Sequence, residues 1–380
     1  MSQPFVVMIK PVGARCNMRC SYCYYLGKGP EQEAVMSYEV LEELIRQIMR
    51  QNSGPVVSFT WHGGEPTLAG LDFFKKAVEL QQKYLPRGYQ VWNNLQTNGL
   101  LLNGEWCRFL RDHHFDVGLS IDGCAAVHDA QRHTVGGQPT FEKARAAVKR
   151  LQSYGIQPDL LCTVSSLAAE HPLEVYQGLK NLGTGWMQFI PIVVRKEDGS
   201  FAPETVAPEA YGNFLCTVFD EWLSHDLGRL DVQLFAESAR VWAGGQASVC
   251  TMAPVCGQVL IAEHDGSVYS CDHFVDQEHY LGNWMETPIA ELAGSEKQLT
   301  FGAAKQTALT EECRECPWLT VCRGGCLKDR FALSGSGEKG QYYLCQGLKQ
   351  FFAHAHPKTQ KVMELSRKGL SPQEIMKTIG

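Results

Sequence analysis

Fifteen of the 380 residues in this chain are cysteine, and eleven of them fall into two groups. Cys16, Cys20 and Cys23 stand in the run CNMRCSYC near the N-terminus. Cys250, Cys256, Cys271, Cys313, Cys316, Cys322, Cys326 and Cys345 crowd the last third. The remaining Cys107, Cys124, Cys162 and Cys216 have no partners at ligand spacing and read as small buried hydrophobes, with Cys124 following a candidate active-site loop. Disulfides are a poor explanation in a reducing compartment. The apolar run at 5–9 is too short for the core of a signal peptide, and no charged segment precedes it. No run of 18 apolar residues marks a membrane span. The expected setting is therefore the cytoplasm, where clustered cysteines serve metals or catalysis. Eight thiolates make two complete sets of four, and three make a set one ligand short. A centre with an open position suits reactivity, while filled centres suit structure or electron transfer.

Charge narrows the partners. Acidic residues outnumber basic ones by 41 to 35, for a net charge of −6 and a pI near 6.1. That balance argues against broad electrostatic binding to nucleic acid or anionic membrane.

Strand-like runs at 5–10, 56–61, 90–96, 116–120, 159–164 and 186–194 alternate with helix-like stretches. Ser37, Asn103 and Thr140 stand where they can cap three of those helices. The alternation predicts parallel strands joined by helical crossovers, an α/β fold. Six such units fall short of eight, so a partial (β/α)6 TIM-type barrel is expected, with functional loops after the strand C-termini. CNMRCSYC follows the first strand, GGEP (63–66) the second, QTNG the third and SIDG the fourth. From Cys250 the chain turns rich in cysteine and turns, with a hairpin expected at HDGS (264–267). Metal centres would supply the stability that a small core lacks. The segment after 350 reads as helical, with a capping box at Ser371–Glu374.

The C-x3-C-x2-C run can hold three irons of a 4Fe–4S cube and leave the fourth open to a small molecule; zinc, the alternative, needs a fourth ligand. In GGEP the glycines permit close backbone approach, and Glu65 can complement a cationic ammonium. The last eight cysteines suit two iron–sulfur clusters or two structural zinc sites, and spacing alone does not separate these. His62, just before GGEP, can contact a substrate or merely close a strand.

With these motifs the chain resembles the radical S-adenosylmethionine enzymes. Cys256-x9-Gly266-x4-Cys271, Cys313-x2-Cys316-x5-Cys322-x3-Cys326 and Cys345 resemble the SPASM domain of that superfamily. Nearly the whole chain is similar to the anaerobic sulfatase-maturating enzymes, through LQTNG, GLSIDG with His128 and Arg132, MQFIPI, GSVYSCD and the GGC at 324–326. The resemblance implies three 4Fe–4S clusters and S-adenosylmethionine as cofactors. It implies one auxiliary cluster on Cys250, Cys256, Cys271 and Cys326, and another on Cys313, Cys316, Cys322 and Cys345. It places Tyr22, Gly64, Glu65, Ser120, Arg132 and Met187 at S-adenosylmethionine, and makes Asp272 the catalytic proton acceptor. The implied domains are a radical barrel at 1–235, a SPASM domain at 236–348 and a helical tail at 349–380. The implied reaction is oxygen-independent oxidation of a Cys or Ser, within a Cys/Ser-x-Pro-x-Arg motif of an unfolded sulfatase, to Cα-formylglycine. An electron donor such as flavodoxin or ferredoxin completes the implied partners. Other readings are a SPASM enzyme that modifies or crosslinks another ribosomal peptide, an electron carrier, or a zinc-dependent binding module.

Overall fold

The computed structural model describes residues 5–28, 35–51 and 54–379, so part of the N-terminal reading (1–4) and the final residue lie outside it. The chain separates into two compact units. One comprises Met1–Ser120, Arg132–Pro158 and Val255–Ala304; the other comprises Ile121–Gln131, Asp159–Pro254 and Lys305–Gly380.

Along the chain, the first unit supplies β1 (Val6–Lys10), β2 (Met18–Cys20), β3 (Val56–Trp61), β4 (Gln90–Thr97), β5 (Phe115–Ser120) and β6 (Arg132–Thr134). The second then supplies β7 (Asp159–Val164), β8 (Trp186–Pro191) and β9 (Asp231–Val232). The chain returns to the first unit for β10 (Val259–Glu263), β11 (Ser267–Tyr269) and β12 (Tyr280–Asn283).

In the first unit β1, β3, β4 and β5 run parallel in that order, joined by the helices Tyr38–Gln51, Leu71–Tyr84 and Gly104–Asp112. Period-2 alternation sends Val57, Phe59 and Trp61 of β3 fully inward. Trp61 meets Phe74 of the next helix edge-on at 5.3 Å, so the apolar stripe of that helix is what fixes it to the strand. Ser37 and Asn103 cap their helices as read. Thr140 occupies the cap position, but its hydroxyl donates to the Arg132 carbonyl at 2.8 Å instead.

The cysteine-rich stretch enters this sheet. β10 lies parallel to β1 in full register, Val6 opposite Val259 and Lys10 opposite Glu263. The hairpin at 264–267 then brings β11 back antiparallel. In the second unit β7, β8 and β9 run parallel. There the helix Cys345–Arg367 packs on Pro208–His225 through Phe351 and Phe219, 5.9 Å apart. The capping box of Ser371 and Glu374 forms as read. Of the scattered cysteines, Cys107 and Cys162 are buried, whereas Cys124 and Cys216 keep part of their surface exposed.

Candidate active site

The first cysteine motif passes through β2, which pairs antiparallel with β6 so that Cys20 faces Arg132. Arg132 is buried and its guanidinium lies 5.5 Å from the centre of the Tyr22 ring. The GGEP loop is bonded to the same segment: Gly64 N donates to Gly13 O at 2.8 Å and Glu65 N to Arg15 O at 2.9 Å. A Cβ on Gly64 would stand 2.1 Å from Arg15 O, so the cysteine loop's own backbone demands glycine there.

Glu65 is buried, and its carboxylate is engaged by donors of its own chain. Oε1 accepts from Thr67 N (3.1 Å), Thr67 Oγ1 (2.5 Å) and Thr97 Oγ1 (2.8 Å), and Oε2 accepts from Asn98 N (2.8 Å). Burial raises its pKa and these bonds oppose the rise. Asn98 in turn donates to Asn17 Oδ1 at 2.8 Å, and Gln96 donates to Ser120 Oγ at 3.1 Å. The loops after β1, β3 and β4 and the end of β5 thus meet at one rim of the first unit. Asn98 and Gln96 belonged to a recognised motif, yet spacing gave no hint of these roles.

The thiols of that rim behave as a set. Burial pushes Cys16 up to about 12; the Met18 N–H on its sulfur opposes this, and Glu65, Cys20 and Cys23 add to it. Neighbouring thiols in such a dehydrated place become thiolates together only when a cation compensates them. In the second unit burial likewise pushes Cys322 up to about 12, opposed by the Gly324 N–H and reinforced by Cys345, Cys313 and Cys316. Those four cysteines line one pocket with Trp318, Leu319, Leu348 and Phe352. Gln341 donates to Cys345 Sγ at 3.0 Å and accepts from Thr310 Oγ1 at 2.6 Å, which fixes the thiol's direction in a way the sequence did not announce. Of the other four, Cys256 and Cys271 belong to the first unit, and Cys250 and Cys326 to the second.

Asp272 lies at the tip of a turn closed by the bridge between Cys271 and Phe274. Its carboxylate takes side-chain donors: Lys10 Nζ at Oδ1 and the Tyr24 hydroxyl at Oδ2. Burial alone would raise its pKa, but the charge of Lys10, with His62 and His273 nearby, holds it well below the ordinary carboxylate range. Lys10 has no exposed surface, and its Nζ sits 4.0 Å above the Tyr25 ring, whose hydroxyl donates to buried Glu263. The sequence reading missed Lys10, Tyr24 and Tyr25. A charged residue ending an apolar strand, and paired tyrosines after the last cysteine, were the available signals.

His62 is in this network too. Its Nδ1 accepts from Gly63 N at 2.8 Å and lies 3.4 Å from Lys10 Nζ, which assigns the ring proton to Nε2. Burial, then the charge of Lys10, lowers its pKa to about 4, so the ring is neutral at pH 7. In the second unit Asp122 of SIDG accepts from Thr163 N at 2.7 Å, and its own N–H donates to buried His128 at 3.1 Å. Met187 is fully buried on β8 beside Leu160 and Val232.

Residues 11–168 match the radical SAM superfamily model, and residues 245–317 match the SPASM model, an iron-sulfur cluster-binding domain. The chain is 41% identical to a serine-type anaerobic sulfatase-maturating enzyme of Bacteroides thetaiotaomicron, covering 100% of this chain and 96% of that one. The chain belongs to the anaerobic sulfatase-maturating enzyme family. A cysteine-type member from Clostridium perfringens is 34% identical over 93% of this chain and 97% of its own. The solved structure described as native anSMEcpe with bound AdoMet and Cp18Cys peptide superposes with a TM-score of 0.87 at 34% identity, covering 95% of this chain and 99% of that one. The α/β partial-barrel fold with a SPASM domain is therefore the maturase fold. The radical SAM and SPASM domains bring 4Fe–4S clusters and S-adenosylmethionine as cofactors. The desolvated, mutually repelling thiol sets fit such clusters, whose iron supplies the missing positive charge. Among the described residues no helix is long and apolar enough to cross a membrane.

Proposed function

We propose that the chain oxidises a Cys or Ser side chain of an unfolded sulfatase, in a Cys/Ser-x-Pro-x-Arg motif, to Cα-formylglycine without oxygen. The observation that carries this reading is the rim where the cysteine loop and GGEP interlock, with Asp272 held by Lys10 and Tyr24 in the same unit. Cys16, Cys20 and Cys23 hold the S-adenosylmethionine-binding cluster, and the eight later cysteines hold two auxiliary clusters. Tyr22, Gly64, Glu65, Ser120, Arg132 and Met187 bind S-adenosylmethionine.

When bound, these cofactors supply one-electron chemistry that removes a Cβ hydrogen from the substrate and carries electrons away. The chain's own residues do the rest. Lys10 and Tyr24 hold Asp272 ionised and oriented, with 14% of its side chain still exposed. A carboxylate oxygen of Asp272 accepts the substrate's thiol or hydroxyl proton. Neutral His62 keeps Lys10 directed at Asp272 without adding a second charge. A Ser substrate then yields the aldehyde directly, while a Cys substrate yields a thioaldehyde that water hydrolyses with release of H2S. Residues 1–235 form the radical domain, 236–348 the SPASM domain and 349–380 the helical tail. A cytoplasmic setting and a small redox protein such as flavodoxin or ferredoxin as donor suit a reduced, cluster-bearing chain.

The test is direct. Reconstituted enzyme is incubated anaerobically with S-adenosylmethionine, a reductant and peptides carrying Cys-x-Pro-x-Arg or Ser-x-Pro-x-Arg. Mass spectrometry should show loss of two hydrogens from the Ser peptide, or exchange of sulfur for oxygen with that loss in the Cys peptide. Reductive cleavage of S-adenosylmethionine with both peptides unchanged would overturn the proposal.

A further inference from the structure

Lys305 is buried to 1% exposure although it carries an ammonium, and a lysine is buried so fully only where specific acceptors replace its water. Its Nζ donates to the carbonyl of Cys250 and, at 2.9 Å, to that of Thr251. Both acceptors lie in the 3-10 turn Cys250–Met252. The main chain of Lys305 is held in turn: Arg330 Nη1 donates to Lys305 O at 2.7 Å. The same guanidinium reaches Gly324 O at 2.8 Å through Nε and Arg323 O at 2.8 Å through Nη2. A Cβ on Gly324 would stand 2.5 Å from Arg330 Nη2, so the glycine is shaped to admit the guanidinium. One continuous series of bonds therefore joins the backbone of Cys250 to the loop that leads into Cys326, all within the second unit.

Neither cation takes part in the steps proposed above. We propose that Lys305 and Arg330 are positioning residues that brace the Cys250 and Cys326 segments and raise the reduction potential of the auxiliary cluster those cysteines serve. The proposal rests on the assignment of these cysteines as cluster ligands made above. A four-thiolate cluster gains negative charge on reduction, and fixed cations bonded to ligand-bearing backbone favour the more negative state.

The test compares wild-type holoenzyme with Lys305→Met, Lys305→Arg and Arg330→Gln. Iron per chain is measured, and the auxiliary clusters are followed by redox titration monitored by electron paramagnetic resonance. Wild type should carry roughly 12 irons, from three four-iron clusters; a wild type without auxiliary signals would refute the ligand assignment itself rather than the brace. Lys305→Met should keep its iron and show one auxiliary cluster shifted to more negative potential, with Lys305→Arg restoring it. Loss of about four irons alone, with S-adenosylmethionine cleavage intact, also supports the brace. Retained iron with unchanged potential overturns it. Should Lys305→Met misfold, Arg330→Gln decides by the same two readouts.

Discussion

The ammonium of Lys10, at the end of the first strand, is ion-paired with the carboxylate of Asp272, 262 residues further along the chain. Neither side chain is free to leave. Lys10 has no exposed surface, and the second carboxylate oxygen of Asp272 takes the Tyr24 hydroxyl. Asp272 and the start of the first cysteine loop are therefore mechanically one assembly.

Replacing one partner should cost more than replacing both. Lys10→Met leaves a largely buried carboxylate uncompensated and should destabilise the protein by about 2–4 kcal/mol. Adding Asp272→Asn to it should recover at least about 1 kcal/mol in a double-mutant cycle read by thermal denaturation. Strict additivity would dismiss the pair. Asp272→Asn alone should leave iron content intact and slow peptide oxidation by about 100-fold or more.

Acid should weaken the fold through His62. Its native pKa of about 4 lies below the ordinary 6.5, so as pH falls through 6.5 the unfolded chain binds a proton that the native ring refuses. Stability should drop between pH 6.5 and 4 by an amount bounded at roughly 3 kcal/mol. His62→Gln removes this titration, and its melting temperature should fall less than that of wild type between pH 7 and 5. Parallel curves would exclude His62 as the cause.

Gly64→Ala tests the interlock of GGEP with the cysteine loop. The added methyl meets Arg15 O at 2.1 Å and should cost about 1–3 kcal/mol, together with loss of S-adenosylmethionine cleavage. Gly185→Ala, whose Cβ meets nothing within 4 Å, should stay within about 0.5 kcal/mol of wild type in the same melts. Equal behaviour of the two variants would refute the steric argument.

Substituting Cys16, Cys20 and Cys23 by Ala should remove about four irons per chain and abolish reductive cleavage of S-adenosylmethionine, leaving roughly eight irons on the auxiliary cysteines. Iron assay and product chromatography read the two effects separately. Persistent cleavage would sever this loop from the chemistry.

Local chemistry was legible in the linear order of residues. Cysteine spacing, a glycine pair before Glu65, period-2 strands and capped helices each express interactions within a few residues, and such interactions are written in sequence. Even the hairpin at 264–267 was visible. What tertiary structure alone decided involves residues far apart in the chain. Only the parallel pairing of β10 with β1 places Glu263 beside Lys10, and only the turn at Cys271 aims Asp272 at that same lysine. Glu65 read as a partner for a ligand, and only the folded chain shows that its oxygens also accept from Thr67, Thr97 and Asn98, because two strand ends arrive together. A buried Lys305 looks in sequence like any helix-surface lysine; its partners are the carbonyls of a turn more than 50 residues earlier. The residue types that do the chemistry were determined by the sequence itself, whereas charge compensation in a dehydrated interior depends on which distant groups share it, and that is a property of the folded chain.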